Sequence, residues 1–236
     1  MLSKTQGIVI RTIKYGESSA ICNIYTEHYG LLGFHIPGVF KNKGTVRMSY
    51  LQALNAVDIT FNYHKSKNLQ RISDISCKFY PDLQDFNRKA LHSICCELLQ
   101  QTIRENEHNN SLFDYLYHQA IPGLNSQIHF WQLPFIMLKI LHYYGCSPNI
   151  DSYTPDAYLD LQNGVFSTSL LPLKYISDKE VSLTIYEILT QGIVHLPKDG
   201  VLRHRIIEDL ITYYRLHINE NFDLRSREIL QQVMNG

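Results

Sequence analysis

Five short runs of β-forming residues account for most of residues 1–80, and turns rather than helices join them. Turn-forming sequences at 16–19 and 28–30 separate the first three runs. Five strands in so short a segment cannot bury both faces of an open sheet, so the pattern predicts a small barrel, closed or partly open. Periodicity alone does not distinguish an OB-fold from an SH3-like barrel. The runs are 7–13, 20–26, 31–36, 51–63 and 69–76.

After residue 80 the apolar spacing becomes helical, with repeats of three and four residues from Leu83 onward. A short hairpin is expected around Asn163 and Gly164, a pair that favours a two-residue type I′ turn. We therefore predict an α+β fold, with a five-stranded barrel domain over 1–80. An all-α-rich domain with a β-hairpin insertion is expected over 81–236.

Several residues are expected to set the ends of the helices. Asp82 is predicted to cap the first helix, and the pair at 122–123 is predicted to end the second. Pro134 should either kink the third helix or mark its true start, and Gly145 should end it. The sequence at 177–180 has the form of a capping box for the fourth.

Charge is divided unevenly along the chain, although the formal net charge is zero. Residues 1–80 hold ten Lys and Arg against four Asp and Glu, whereas 81–236 hold twelve against eighteen. A basic segment joined to an acidic one suggests that the basic part meets a polyanion. Aromatic rings lie among the first cations, and cations with flat rings suit a single-strand nucleic-acid surface.

The candidate DNA-contacting residues come from one strand and two polar loops. Each cation alone would most simply be solvated at the surface, but grouping in loops beside the open face of a barrel favours contact with an oligonucleotide. The first strand could face either way. Tyr15 and Phe40 are candidate stacking groups. The predicted cations are Arg11, Lys14, Lys41, Lys43, Arg47, Lys65 and Lys67.

Motifs for nucleotide hydrolysis, dinucleotide binding, zinc proteolysis and serine hydrolysis do not occur in the sequence. His142 and Cys146 have the spacing of half a metal site, but a histidine at a helix end near a small buried cysteine explains the pair more simply. We therefore expect no enzyme, no metal and no cofactor. An enzyme with a cleft between the domains is the poorly supported alternative.

The chain contains neither an apolar run long enough to span a membrane nor an apolar signal segment at its start. Its five cysteines have no framework spacing, which suits a reducing compartment. We expect a cytoplasmic protein that does not contact membranes.

The first domain resembles the start of the RecO family, the bacterial recombination-mediator and DNA-repair proteins. Each motif alone is weak, but their order along nearly the whole chain is fairly specific. The residues that carry the resemblance are 7–11, 15–19, 25–32, Gly38 with Lys41 and Lys43, and 224–228.

This resemblance implies an OB-fold that binds single- and double-stranded DNA, with the basic loop matching 41–43 among its contacts. It also implies association with the nucleoid, docking of RecR and of the acidic tail of single-stranded-DNA-binding protein, help in loading RecA, and strand annealing. The rival hypothesis is a generic OB-fold binder of RNA or DNA without mediator activity.

Many family members carry a four-cysteine zinc site between the third and fourth helices. This chain has only Cys146 in the corresponding region, so no zinc is predicted and the 163–164 hairpin is expected to fill that space.

Arg203, Arg205 and Arg215 are the candidate protein-docking cations. The simpler explanation is that they pair with neighbouring carboxylates.

Overall fold

The computed structural model describes residues 2–41, 46–81, 83–105, 107–126, 129, 131–169 and 174–227. The chain forms two compact units, Met1–Gln127 and Ile128–Gly236. Within the described residues no helix is long and apolar enough to cross a membrane. The first unit contains a β-barrel and the second is mainly helical, which confirms the predicted α+β class. The domain boundary at residue 80 stays a prediction.

Five strands close into a barrel in the order β1-β2-β3-β5-β4. All neighbours are antiparallel except β3 and β5, which are parallel. This order and closure confirm the predicted OB-fold barrel. The strands are β1 (Leu2–Tyr15), β2 (Ser19–Thr26), β3 (Gly30–Ile36), β4 (Ala56–Asn62) and β5 (Leu69–Phe79).

The first strand closes the barrel because it pairs with two neighbours. Its first half pairs with β4 and its second half with β2, and the register shifts between Val9 and Arg11. Such a bulge bends a strand and strengthens its twist. The bulged Ile10 is buried, and its carbonyl accepts a hydrogen bond from Gln100 at 3.2 Å.

The barrel interior is apolar and buried, and it includes Val9, Cys22, Phe34 and Phe61. Burial raises the pKa of the Cys22 thiol to about 12, so this cysteine acts as a packing group. Thr12 donates a hydrogen bond to the Leu51 carbonyl at 2.7 Å. That bond fixes a 3-10 turn (Met48–Leu51) in a segment where the sequence predicted the start of a strand.

The first helix, α1 (Phe86–Thr102), begins later than predicted. Its cap is Asp85, whose carboxylate accepts from the Arg88 amide at 2.8 Å, so the expectation of an Asp82 cap was wrong. Asp82 itself lies outside the described residues. Asp82 and Asp85 both have a side chain that can cap a helix, so the sequence does not distinguish them. The path of the chain after β5 determines which of the two caps α1.

The second helical segment continues past the proline that was expected to end it. It consists of α2 (Asn110–Tyr115), a π-helical turn (Leu116–Ala120) and α3 (Ile121–Asn125). A proline inside an α-helix removes one amide donor and crowds the carbonyl four residues before it. A π turn spaces its hydrogen bonds five residues apart, and it lies where Pro122 would otherwise break the α-helical ladder.

In the second unit, α4 (Gln132–Tyr143) holds Pro134 in its first turn. The amides there have no partner within the helix, so proline marks the start rather than a kink. Gly145 ends the helix at φ +72°, as predicted. The Gly145 amide donates to His142 and the Cys146 amide to Leu141, both at 3.0 Å, which is the Schellman pattern.

The remaining helices are α5 (Lys179–Gln191) and α6 (Gly200–His217). Asp178 caps α5 by accepting from the Val181 amide at 3.0 Å, so the capping-box assignment, which made Ser177 the cap, was wrong by one residue. A sixth helix predicted from Arg225 extends outside the described residues.

The predicted hairpin is present, as β6 (Tyr158–Asp160) and β7 (Val165–Ser167). Its turn is not type I′, because only Gly164 has a positive φ. The Asp160 carboxylate instead accepts from the amides of Gln162 at 2.9 Å and Asn163 at 3.2 Å. That carboxylate organises a four-residue loop that the Asn-Gly pair alone could not specify.

The hairpin packs against α6. Tyr213 donates to the Cys146 carbonyl at 2.9 Å, and a ring nitrogen of His217 lies 2.9 Å from the Leu161 carbonyl. Within the described residues no three His, Cys, Asp or Glu side chains gather as metal ligands. That no zinc is bound stays a prediction.

Two glycines with the same backbone angle allow the close approach of main chain to Gly30 to be tested. Gly16 and Gly30 both have φ +66°, and a Cβ on Gly30 would lie 2.5 Å from the Glu107 carbonyl oxygen, whereas one on Gly16 would meet nothing within 4 Å. We expect Gly16→Ala to cost about 1–2 kcal/mol from backbone strain. Gly30→Ala should cost ~1–3 kcal/mol more, because main chain must move. Urea denaturation measures the difference, and equal midpoints would contradict it.

Candidate nucleic-acid interface

Outward-facing residues of four strands form two rows across the barrel. Side chains alternate between the two faces of a strand, and the alternate positions in β2 and β3 fill the buried interior. The first row is Arg11, Asn23, Gly33 and Leu69. The second row is Ile13, Ile21, His35 and Arg71.

The two predicted contacts in β1, Arg11 and Lys14, lie on opposite sides of the strand. The bulge after Val9 places Arg11 level with Asn23 on the outside, where it is exposed. Lys14 lies at the end of the strand, and its Nζ is 5.7 Å from the centre of the Phe40 ring. The sequence left this orientation open, because it does not reveal the bulge.

The segment after β3 returns to the turn between β1 and β2. The Phe40 amide donates to the Ser18 carbonyl at 3.2 Å, and the Lys41 amide donates to Gly38 at 3.0 Å. Lys14, Phe40 and exposed Lys41 therefore lie in one region at the rim of the barrel. The predicted contact Lys43 lies outside the described residues.

The loop between β4 and β5 displays Lys65 and Lys67, both exposed. Gln70, only 3% exposed, fixes the loop from inside. Its amide nitrogen donates to the carbonyls of His64 at 2.9 Å and Lys67 at 2.8 Å, and its oxygen accepts from the His64 amide at 2.9 Å. Sequence reasoning missed Gln70, although a polar residue at an inward position of a strand was the available signal.

A polar cavity of about 300 Å³ lies between this loop and β3. Lysine side chains, amides and the bare backbone of Gly33 suit an anionic group, while Glu105 at the wall opposes one. Its lining includes Asn23, Gly33, His64, Lys65, Lys67, Asn68 and Glu105.

Arg47 is exposed, and its Cζ lies 5.9 Å from the centre of the Tyr50 ring. Tyr50 in turn lies 6.2 Å from Tyr80. In the described part of the chain no carboxylate forms an ion pair with the predicted barrel cations, whereas Lys78 pairs with Asp58 at 3.1 Å. Unpaired exposed cations are free to bind phosphates.

The predicted docking arginines of the second unit are engaged within it. Arg203 is 3% exposed, and burial lowers the pKa of its guanidinium. Arg205 pairs with Asp178 and with Glu180, the latter at 2.8 Å. Arg215 donates to the Phe222 carbonyl at 2.8 Å and pairs with Asp223 at 3.2 Å. These contacts favour a structural role, and docking by these arginines stays a prediction.

A groove of about 310 Å³ on the second unit was not predicted. Its walls come from one face of α4, from residues after that helix and from α5. Its described lining is mostly apolar, with two basic residues, the neutral polar residues Ser147 and Asn149, and no carboxylate. The lining includes Phe135, Leu138, Lys139, His142, Pro148, Ile150, Ile188 and Leu189.

The role of Gln70 can be tested through the lysines that it positions. In Gln70→Glu a carboxylate would face two carbonyl oxygens and could not donate to them, which costs ~1–3 kcal/mol for each buried group left unpaired. The loop should open more often, so trypsin should cut after Lys65 or Lys67 faster than in the wild type.

Mass spectrometry of the early fragments would locate the cuts. The exposed Gln52 provides the control, since Gln52→Glu should leave the digestion rate at this loop unchanged. Equal rates in Gln70→Glu and wild type would show that Gln70 does not hold the loop.

Comparison with known proteins agrees with this geometry. The family model for the recombination protein O N terminal matches residues 1–80. The chain is 30% identical to the DNA repair protein RecO of Bacteroides fragilis over 243 residues, covering 99% of both chains. It is 27% identical to that of Phocaeicola vulgatus over 242 residues, and 28% identical to that of Flavobacterium psychrophilum over 247, again covering 99% of both.

The barrel, the cations of its loops and similarity over almost the entire length lead to one conclusion: the chain belongs to the RecO family of DNA repair proteins.

Proposed function

We propose that this protein is a recombination mediator whose barrel binds single- and double-stranded DNA in the cytoplasm, at the nucleoid. The observation that carries the proposal is the set of exposed cations in the barrel loops that have no carboxylate partner in the part of the chain that the structure describes, held in place by buried hydrogen bonds such as those of Gln70. In the second unit Arg205 and Arg215 are held in internal ion pairs, which favours the barrel as the main DNA surface.

In this role the protein would displace or remodel single-stranded-DNA-binding protein, act with RecR, help to load RecA and anneal complementary strands. Each of these steps exchanges one set of binding free energies for another, so none requires hydrolysis. Burial raises the pKa of Cys22 and of Cys96 to about 12, so these thiols are unreactive at neutral pH, in keeping with a role without catalysis.

The salt dependence of DNA affinity tests the barrel as the binding surface. For a single strand the slope of log affinity against log salt is about −0.7 per phosphate contact, so five contacts give about −3 to −4. Lys65→Ala/Lys67→Ala should weaken binding and reduce the slope by about 1.4. Lys41→Ala/Lys43→Ala should act similarly. Fluorescence anisotropy with a labelled oligonucleotide measures both quantities.

The matched control removes two exposed cations from the second unit, in Lys174→Ala/Lys179→Ala. This variant should keep the wild-type affinity and slope. If the barrel variants behave like the control, or if the control loses affinity equally, the barrel loops are not the site.

We also propose that the α4–α5 groove, defined by the lining given above, takes the acidic tail of single-stranded-DNA-binding protein. Such a tail needs an apolar recess beside a cation for its carboxylates. The groove has Leu138 and Ile188 in its walls, and Lys139 lies 5.5 Å from the centre of the Phe135 ring. Its positive charge and apolar lining complement an acidic peptide that ends in an apolar residue.

A peptide of that kind, with acidic residues before an apolar C-terminal residue, tests this groove. Lys139→Glu should weaken its binding about tenfold or more, and amidation of the peptide terminus should weaken binding to the wild type, because each removes charge attraction. Lys174→Glu changes an exposed lysine elsewhere in the unit and should have no effect. Isothermal titration calorimetry would distinguish the variants.

The rival hypothesis, a generic nucleic-acid binder, makes a different prediction for this peptide. It shares the salt slope of DNA binding but does not bind the peptide. Wild-type protein that binds DNA and ignores the peptide would therefore favour the generic binder over the mediator.

A further inference from the structure

The outer face of the barrel exposes apolar groups next to its cations. Tyr15 is 56% exposed, Ile13 43% and Leu69 39%. The rings of Tyr15 and His35 are in T-shaped contact, with their centres 5.8 Å apart and their planes at 83°. Folding alone gives no reason to leave such groups uncovered on one face, since burying apolar surface stabilises a protein by ~25 cal/mol per Å².

The strand register orders these groups along the face. Asn23 and Gly33 are in the first row, Ile13 and His35 in the second, and Tyr15 one step farther along β1. Successive positions on one face of a strand are about 6.6 Å apart, so the face runs about 13 Å from Gly33 to the level of Tyr15. Tyr15, His35, Ile13 and Leu69 therefore lie at neighbouring positions on one face of the barrel. We call these four residues the strip.

Cations lie at both ends of this strip. At one end the polar cavity beside Gly33 is lined by Lys65 and Lys67. At the other end the turn after Tyr15 meets the segment that holds Phe40 and Lys41. A polynucleotide with phosphates at the two ends would pass its bases over the strip between them.

We propose that this strip is a stacking platform for the unpaired bases of single-stranded DNA, with Tyr15 and His35 as the contacting rings. The proposal rests on the DNA-binding function proposed above and adds a strand preference to it. Bases in a duplex already stack on one another and leave no free face, so the platform adds affinity for single strands only. The loop cations act on both forms, because both carry phosphates.

Removing one ring tests the platform without changing charge. Tyr15→Ala should weaken binding of a labelled oligothymidylate by roughly 5- to 150-fold, the range for one base stacked on an aromatic side chain. His35→Ala should act in the same direction. Affinity for a duplex of the same length should change less than twofold, and the salt slope should not change. Anisotropy titrations over a salt series measure all three.

Two further variants separate stacking from other effects. Tyr15→Phe keeps the ring and should bind like the wild type. Phe86→Ala removes a ring that is 65% exposed at the start of α1 and belongs to neither row of the barrel face, and it should also bind like the wild type. Thermal unfolding of Tyr15→Phe should match the wild type, because the ring and its contact with His35 are kept.

The outcomes distinguish the platform from the proposed function. If Tyr15→Ala and His35→Ala keep single-strand affinity within twofold while Lys65→Ala/Lys67→Ala loses it, the platform is wrong and the proposed DNA binding stands. Equal losses for single strand and duplex in Tyr15→Ala also overturn the platform. If the wild type binds neither DNA form, both proposals fail.

Discussion

Closure of the barrel by β1 is the constraint on which the rest of the first unit depends. A strand that pairs with β4 over its first half and with β2 over its second must bend, and the bulge at Ile10 provides the bend. The same bulge shifts the facing of every later residue in the strand. Arg11 is therefore outside, Thr12 inside, and Tyr15 beside His35 on the outer face.

The proposed binding surface is displayed by loops, yet buried polar groups give those loops their shape. Gln70 satisfies the main chain of the 64–67 loop, and Thr12 fixes the turn that ends at Leu51. A buried amide or hydroxyl without such partners would destabilise the barrel. The hydrogen bonds that satisfy the buried Gln70 side chain therefore also shape the loop, and they leave Lys65 and Lys67 exposed, without an ion-pair partner among the described residues.

The two units use their charges differently. In the barrel the predicted contacts have no carboxylate partner in the described residues, whereas Arg205 and Arg215 are each paired with carboxylates of their own unit. Exposed ion pairs add only ~0–1 kcal/mol to stability, but they neutralise a surface toward a polyanion. This contrast agrees in direction with the charge imbalance along the sequence.

The sequence by itself determined the number and approximate positions of the strands, the change to helices after residue 80 and the end of α4 at Gly145, because each depends on residues close together in the chain. Capping residues were wrong by one to three positions, since neighbours such as Asp82 and Asp85, or Ser177 and Asp178, have equally suitable side chains. Only the tertiary structure decided the facing of Arg11, the burial of Arg203, the role of Gln70 and the α4–α5 groove. Each of these depends on a bulge, a barrel closure or a helix contact between residues far apart in sequence. The local structural propensity of a segment does not encode such contacts.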